Sequence, residues 1–167
     1  LNKKYKFIKK NTKLLDIGAY PGGWSQVSSK LITAGKILSL DIKKMDQIKN
    51  VTFFQSNFLE EGTKKEILNF FNEKLDVVIS DMAANTTGNK SLDCIRTNQL
   101  CGDVVEFSAK ILKPNGVLVS KIFMGEDFLE VKELAKSRFK KVDFFKPEAS
   151  RNESKETYLH CAILKTL

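Results

Sequence analysis

The order of segments along this chain predicts an α/β fold, with a seven-stranded, mostly parallel sheet, one antiparallel strand, and helices on both faces. Short apolar runs alternate with longer segments of helical periodicity. The last two apolar runs follow each other without a helix between them, so we expect them to pair antiparallel. The 167 residues are enough for a sizeable core and are expected to form a single domain, residues 1–167.

The first half of the chain supplies four strands and two helices. The strands are predicted from apolar runs, the first of which ends at Gly18, at residues 13–17, 37–41, 51–55 and 75–80. The helices are predicted from their apolar periodicity at residues 24–32 and 63–72. Thr63, with Glu66 three residues later, is expected to cap the second helix.

The second half supplies the remaining elements. A long helix is predicted over residues 91–112, and Pro114, Asn115 and Gly116 are expected to end it. A strand at 117–123, a helix at 127–139, and strands at 142–145 and 157–164 follow. His160 alternates with apolar neighbours on the last strand and is interpreted as structural.

Composition narrows the class of protein. No apolar run reaches the roughly 20 residues of a membrane span, so no membrane association is expected. Three cysteines, Cys94, Cys101 and Cys161, lack metal-ligand spacing and are expected to be reduced and packed in a cytoplasmic protein, although an organelle stays open because the chain begins at a Leu. The 28 Lys and Arg against 20 Asp and Glu give a net charge of +8, which favours a nucleic-acid partner. An AT-rich coding bias would also explain the excess of lysine.

A glycine-rich turn joins the first strand to the first helix. It reads Asp16-Ile-Gly18-Ala-Tyr-Pro21-Gly22-Gly23-Trp24. Ligands of open α/β sheets bind beyond the carboxyl ends of the strands, where this turn lies. The spacing matches neither the dinucleotide fingerprint nor the phosphate loop of nucleotide hydrolases. Asp41 ends the second strand, where an acid commonly binds both ribose hydroxyls of an adenosine. A tight connection and an ordinary strand terminus are the structural alternatives.

Two further charged residues stand at strand ends. Asp81 follows the fourth strand and is either a helix cap or a catalytic acid. Lys121 interrupts an apolar strand, where an unpaired ammonium is costly, so it is a functional candidate unless it reaches out to solvent. Glu156 could meet Lys121 if the last strand lies beside the fifth; alone it would be a surface residue.

Five segments together resemble the FtsJ-type (RlmE-like) ribosomal RNA 2′-O-methyltransferases over nearly the whole chain. They are LLDIGAYPGGWSQ at 14–26, SLDIKKMDQI at 39–48, SDMAANTTG at 80–88, ILKPNGVLVSKIF at 111–123 and KPEASRNESKETYL at 146–159. The resemblance implies a Rossmann-like methyltransferase fold with S-adenosylmethionine (SAM) as methyl donor and no metal. The implied cofactor residues are Asp16, Gly18, Pro21, Gly22, Gly23, Trp24, Asp41, Asn57 and Asp81. Asn57 stands where the family usually has Asp, so it keeps an acceptor but lacks the charge.

The resemblance also implies the catalytic residues and the substrate. Asp81, Lys121 and Glu156 match the last three members of a Lys-Asp-Lys-Glu tetrad. The first lysine normally lies farther upstream of the glycine turn than the residues present here, so we expect it in an N-terminal segment that is truncated or disordered in this chain. Lys121 is expected to act as the base, oriented by the two carboxylates. The implied substrate is a uridine 2′-hydroxyl in large-subunit ribosomal RNA, methylated by a monomer. Candidate RNA contacts are Lys43, Lys90, Arg96 and Arg151.

Other functions stay open at this point. A methyltransferase of the same fold could act on transfer RNA or an mRNA cap. A non-catalytic RNA-binding relative is compatible with Asn57 and the absent first lysine. A dinucleotide oxidoreductase is disfavoured by the glycine spacing.

Overall fold

The computed structural model describes residues 6–125, 127–147 and 155–166. Seven strands form one sheet: β1 Lys13–Ile17, β2 Lys36–Asp41, β3 Thr52–Gln55, β4 Leu75–Ser80, β5 Leu112–Phe123, β6 Phe139–Phe145 and β7 Glu156–Leu164. Four helices connect them: α1 Gly23–Leu31, α2 Glu61–Phe71, α3 Lys90–Ile111 and α4 Phe128–Arg138. The described part of the chain therefore has the alternation that the sequence predicts.

The strand order across the sheet is β3-β2-β1-β4-β5-β7-β6. The pairs among β1 to β5 are parallel, and β7 is antiparallel to both of its neighbours, β5 and β6. The predicted mostly parallel sheet with one antiparallel strand is confirmed. Because β7 lies between β5 and β6, the last strand is placed directly beside β5 and not at the outer edge of the sheet.

The two faces of the sheet are covered differently. On one face, α2, α3 and α4 pack on the strands through Ile67, Val104 and Ala135, and Leu15, Val78 and Leu118 are the strand residues beneath them. On the other face, Phe7 and Ile8 pack with Leu14, Val77 and Val119, and Trp24 and Tyr158 lie against this cluster. None of the helices in the described residues is long and apolar enough to cross a membrane.

Two local expectations are wrong. Thr63 does not cap α2, because the helix begins earlier, at Glu61, and Thr63 is buried within its first turn. Residues 114–116 do not simply terminate α3, which ends at Ile111, because β5 already begins at Leu112. The pairing of β5 with β4 shifts register after Leu75, so these three residues form an irregular start of the strand.

Candidate active site

The glycine turn is shaped by close contacts at the carboxyl edge of the sheet. Gly18 has φ of +70°, and a Cβ atom there would lie 2.7 Å from Cγ of Met82. The backbone N–H groups of Gly18 and Ala19 both donate to the Leu40 carbonyl, at 2.9 and 3.1 Å. Gly22, with φ of +117°, precedes α1. These contacts and the left-handed backbone explain why the turn needs glycine at both positions.

Asp16 is fully buried beneath this turn. Ser25 Oγ donates to Asp16 Oδ2 at 2.6 Å and lies 2.6 Å from Ser39 Oγ, while Asp16 Oδ1 has no hydrogen-bond partner among the described residues. Burial raises the pKa of Asp16 to about 7; the Ser25 hydrogen bond lowers it, and the nearby Asp81 and Asp41 charges add to the rise. Sequence reasoning missed Ser25 and Ser39, although a serine within the apolar run of β2 is a signal for a buried polar contact.

A cleft of about 430 Å³ opens beside the turn, between the ends of β1, β2 and β4. Its polar lining includes Gly18, Asp41, Lys43, Ser56, Asn57, Asp81 and Asn85. Its apolar walls are Leu40, Ile42, Phe58, Leu59, Met82 and Leu100. Such a mixture of apolar walls and a few fixed polar groups is typical of a small-molecule site.

The polar groups of the cleft are held in place by backbone contacts. The N–H groups of Tyr20 and Lys43 donate to the two carboxylate oxygens of Asp41, at 3.0 and 2.9 Å. Asn57 Oδ1 accepts from the Leu59 N–H at 3.0 Å. Asp41 is thus a pre-oriented anion that still has free lone pairs, and the Asn57 oxygen is partly used by its own loop.

Lys121 lies between two carboxylates at the same edge. Its Nζ is 3.2 Å from Asp81 Oδ1 and 3.6 Å from Glu156 Oε2. Only 14% of the Lys121 side chain is exposed, against about a third of each acid. The structure thus rules out a lysine that merely reaches into solvent. Asp81 caps no helix, because α3 begins at Lys90 and is capped by the side chain of Asn89.

Tyr158 is a further member of this cluster that sequence reasoning missed. Its hydroxyl donates to Asp81 Oδ1 at 2.9 Å, and the residue is the register partner of Lys121. Burial, then the Asp81 charge, raises the pKa of Tyr158 far above its usual range, so it stays a hydrogen-bond donor. Trp24 packs edge-on against the Tyr158 ring at 6.4 Å between centroids. In the sequence, Tyr158 lies two residues after Glu156 on the last strand, and residues two apart on a strand lie on the same face of the sheet. That spacing is the sequence signal that could have identified Tyr158.

The remaining predicted residues lie around the cleft or apart from it. Pro21 and Gly22 precede α1 and Gly23 begins it, and these three predicted cofactor residues are not among those that line the cleft. Lys43 lines the cleft mouth, with its Nζ 5.2 Å from the centre of the exposed Tyr20 ring. Lys90 and Arg96 are exposed on α3, and Arg151 lies outside the described residues. Among the residues the structure describes, no cluster of His, Cys, Asp or Glu could hold a metal ion.

The chain matches the family model of FtsJ-like methyltransferases over residues 1–164. The protein belongs to the FtsJ-like methyltransferase family. Among the relatives of this FtsJ-like protein is the ribosomal RNA large subunit methyltransferase E of Pelagibacter ubique (strain HTCC1062), which is 41% identical over 99% of this chain and 81% of the relative. The protein of the same name from Rickettsia akari (strain Hartford) is 46% identical over 95% of this chain and 73% of the relative.

Solved structures agree with the Rossmann-like methyltransferase fold of this FtsJ-like protein. A Plasmodium falciparum protein, described as a ribosomal RNA methyltransferase, superposes with a TM-score of 0.85 at 29% identity, covering 98% of this chain and 92% of that one. Human methyltransferase-like protein 13, in complex with SAH, has a TM-score of 0.66 at 15% identity over 95% of this chain and 75% of that one, and shows the fold alone.

Proposed function

We propose that the protein methylates the 2′-hydroxyl of a uridine in large-subunit ribosomal RNA, with SAM as donor and Lys121 as the base. The observation that carries the proposal is the position of Asp81. Its carboxylate lines the cleft and also contacts Lys121 Nζ and the Tyr158 hydroxyl. One side chain therefore connects a small-molecule cleft to a lysine that could accept a proton. The names of the Pelagibacter and Rickettsia relatives support ribosomal RNA as the substrate.

The residues of the cleft fit SAM. Two carboxylates, Asp41 and Asp81, and one lysine, Lys43, line it, so the lining has a net negative charge that would complement a positively charged ligand. Asp41, fixed by two backbone N–H groups, would hold the ribose hydroxyls, and the walls formed by Ile42, Phe58 and Leu59 would enclose the adenine. Gly22 and Trp24 would border the methionine end. When bound, SAM supplies a methyl group on a positive sulfonium, which is a good leaving group.

The work left to the protein is to position and deprotonate a hydroxyl. Lys121, in its neutral form, would accept the proton of the ribose 2′-hydroxyl at Nζ. Asp81 and Glu156, at 3.2 and 3.6 Å, would stabilise the ammonium that results and hold the side chain in one direction. Tyr158 fixes the Asp81 oxygen that faces Lys121. Lys43, Lys90, Arg96 and Arg151 would contact phosphates of the RNA around the cleft.

A radiolabelled methyl-transfer assay tests the proposal. Large ribosomal subunits from a strain lacking the enzyme are incubated with labelled SAM, and the labelled RNA is hydrolysed with alkali. Methylation at a 2′-oxygen protects the adjacent linkage, so the label should appear in alkali-resistant dinucleotides that begin with uridine. Label on a base, or on transfer RNA in preference to large subunits, would contradict the proposal. The Lys121→Ala variant serves as the background control.

A further inference from the structure

The edge of the sheet opposite the cleft carries a row of lysines. Four neighbouring parallel strands have a lysine at or beside their first residue: Lys36 on β2, Lys13 on β1, Lys74 before β4 and Lys113 on β5. Lys13 and Lys36 are direct register partners. Since neighbouring strands lie about 4.8 Å apart, the row extends over roughly 14 Å.

A second cleft opens at this edge, where the parallel strands have their amino ends; we call it the amino edge. It has a volume of about 620 Å³ and is lined by Lys6, Lys9, Lys13 and Lys113 together with Asn11 and Asp76. The segment that carries Lys6, Lys9 and Lys10 is held in place: Phe7 and Ile8 are buried, and the Ala34 N–H donates to the Lys10 carbonyl at 2.8 Å. The lysines are therefore presented by an ordered segment rather than by a free chain end.

The charge of this edge is poorly balanced. Two more lysines lie at this edge: the Lys10 carbonyl accepts from the Ala34 N–H of the cleft lining, and the Lys110 carbonyl accepts from Lys74 Nζ. This gives eight lysines in all. Their acidic partners among the described residues are two: Glu73 pairs with Lys13, and Asp76 pairs with Lys113 at 2.9 Å. Lys6, Lys9 and Lys10 are exposed and pair with no acid in the described part of the chain. Six of the eight lysines at this edge therefore have no acidic partner within ion-pair distance among the described residues.

We infer that these eight lysines, the amino-edge surface, bind the phosphate backbone of the RNA substrate at a place separate from the methylated ribose. The inference rests on the proposed function. Lysine ammonium groups bind phosphates as point charges and give no base specificity. The strands separate this surface from the cleft by roughly 17 Å, five residues at about 3.3 Å each. A large folded RNA offers phosphates on more than one side of the protein, which a short oligonucleotide does not.

The test compares two double variants of the full chain that lose the same charge. Lys9→Gln with Lys10→Gln removes two unpaired lysines from the amino-edge surface. Lys65→Gln with Lys132→Gln, on α2 and α4, is the matched control. Filter binding to a large-subunit rRNA transcript is measured from 50 to 200 mM salt. We expect the amino-edge variant to bind roughly tenfold more weakly at 150 mM, and its slope of log affinity against log salt to fall by between 1 and 2.

The control should keep the affinity and salt slope of the unmodified protein within about twofold. At saturating RNA, both double variants should retain the kcat and SAM affinity of the unmodified protein. None of the four substituted lysines lines the cleft beside the glycine turn or contacts Lys121. Equal RNA affinity of the two variants would overturn the inference, even if binding to intact subunits weakened, since the surface would then face a protein.

The two proposals fail in different ways. If the unmodified protein methylates ribosomal RNA but the amino-edge variant behaves like its control, only the inference is wrong. If the unmodified protein neither binds nor methylates RNA, the proposed function is wrong and the inference with it. Thermal melting of each variant checks that the fold is retained.

Discussion

At the scale of single residues, the proposed reaction depends on Lys121. Lys121→Ala removes the proton acceptor, so we expect the methyl-transfer rate to fall by roughly 10²- to 10⁴-fold. SAM affinity, measured by calorimetry, should stay close to that of the unmodified protein because Lys121 does not line the cleft. Lys121→Arg should fail as well, since a guanidinium does not release its proton. Normal turnover by either variant would remove Lys121 from the mechanism.

Tyr158 is expected to act by positioning Asp81. Tyr158→Phe keeps the ring that packs on Trp24 but removes the hydrogen bond to Asp81 Oδ1. Without that hydrogen bond, Asp81 can turn away from Lys121 Nζ, so the methyl-transfer rate should fall about tenfold. The loss should appear in kcat rather than in the KM for RNA, which a general loss of structure would not separate. An unchanged kcat would contradict the positioning role.

Asp16 links the stability of the protein to pH. Its pKa is raised to about 7, whereas an unfolded chain titrates it near 4. The native state therefore binds more protons between these values, and stability should fall as pH rises from about 4 to 7, by at most about 1.4 kcal/mol per unit. Above pH 7 the loss is complete and the curve should level off.

Asp16→Asn removes this titration and keeps an acceptor for Ser25. Urea unfolding at several pH values should show the stability of the unmodified protein declining relative to that of the variant over this window. The exposed Asp46 gives the control, because Asp46→Asn should leave the pH dependence unchanged. Parallel curves for the unmodified and Asp16→Asn proteins would argue that Asp16 is ionised throughout.

The residues of the candidate site were predictable to different degrees. Asp41, Asp81 and Lys121 stand at or near strand ends, which makes them candidates from the sequence. Their positions alone leave an ordinary strand terminus open for Asp41 and a helix cap open for Asp81. Tyr158 could not be found in this way, because its contact with Asp81 depends on the register between β5 and β7. Local sequence does not specify that register.

At the scale of elements, the side chain of Asn98 connects α3 to the end of β5 by hydrogen bonds. Its amide Nδ2 donates to the Phe123 carbonyl at 2.9 Å, and the Phe123 N–H donates to Asn98 Oδ1 at 2.8 Å. The Asn98 side chain thus makes the two backbone hydrogen bonds that a neighbouring strand would make at Phe123. Phe123 lies two residues beyond Lys121. The sequence predicts both α3 and β5 but not these hydrogen bonds between them, since Asn98 looks like an ordinary polar position of a long helix.

Asn98→Ala should destabilise the protein by about 1–3 kcal/mol, because it removes the acceptor of the Phe123 N–H and leaves the Phe123 carbonyl with only the Gly125 N–H as donor. Gln99→Ala, at an exposed position of the same helix, should cost less than about 0.5 kcal/mol. Urea denaturation of the two variants measures the difference. Equal stability would show that water replaces the Asn98 contacts.

The boundaries of helices and strands are predicted less well by sequence patterns than the elements themselves. Apolar periodicity located all four described helices and all seven strands within a few residues. The beginning of β5 was misplaced, because Pro114 and Gly116 normally interrupt structure, yet here the pairing of Leu112 with Leu75 starts the strand before them. Tertiary pairing overrides the local preference at that point.

At the scale of the whole molecule, the reactivity of the buried cysteine thiols measures global unfolding. Cys101 and Cys161 are almost fully buried in the core, and burial raises the pKa of Cys101 to about 12. The reactive thiolate is therefore absent from the native protein at neutral pH. Alkylation of these two cysteines by iodoacetamide, followed by peptide mass spectrometry, should become rapid only as urea unfolds the chain. Rapid labelling in native buffer would indicate local opening around β7.

The distribution of charge is the property that composition describes least well. A net charge of +8 indicates a polyanionic partner but not where it binds. The sequence directs attention to basic residues near the glycine turn, whereas strand order gathers Lys13, Lys36 and Lys113 at the other edge from distant parts of the chain. Only the sheet topology makes that concentration of charge visible.

The position of β7 has a consequence for biosynthesis. The glycine turn, Asp41 and Asn57 are synthesised well before Glu156 and Tyr158, which belong to β7. A nascent chain can therefore form most of the candidate cleft while Lys121 still lacks the Glu156 carboxylate. Because β7 must insert between β5 and β6, two strands that are synthesised before it, we expect catalytic competence to be acquired only once β7 has been made and has paired with both.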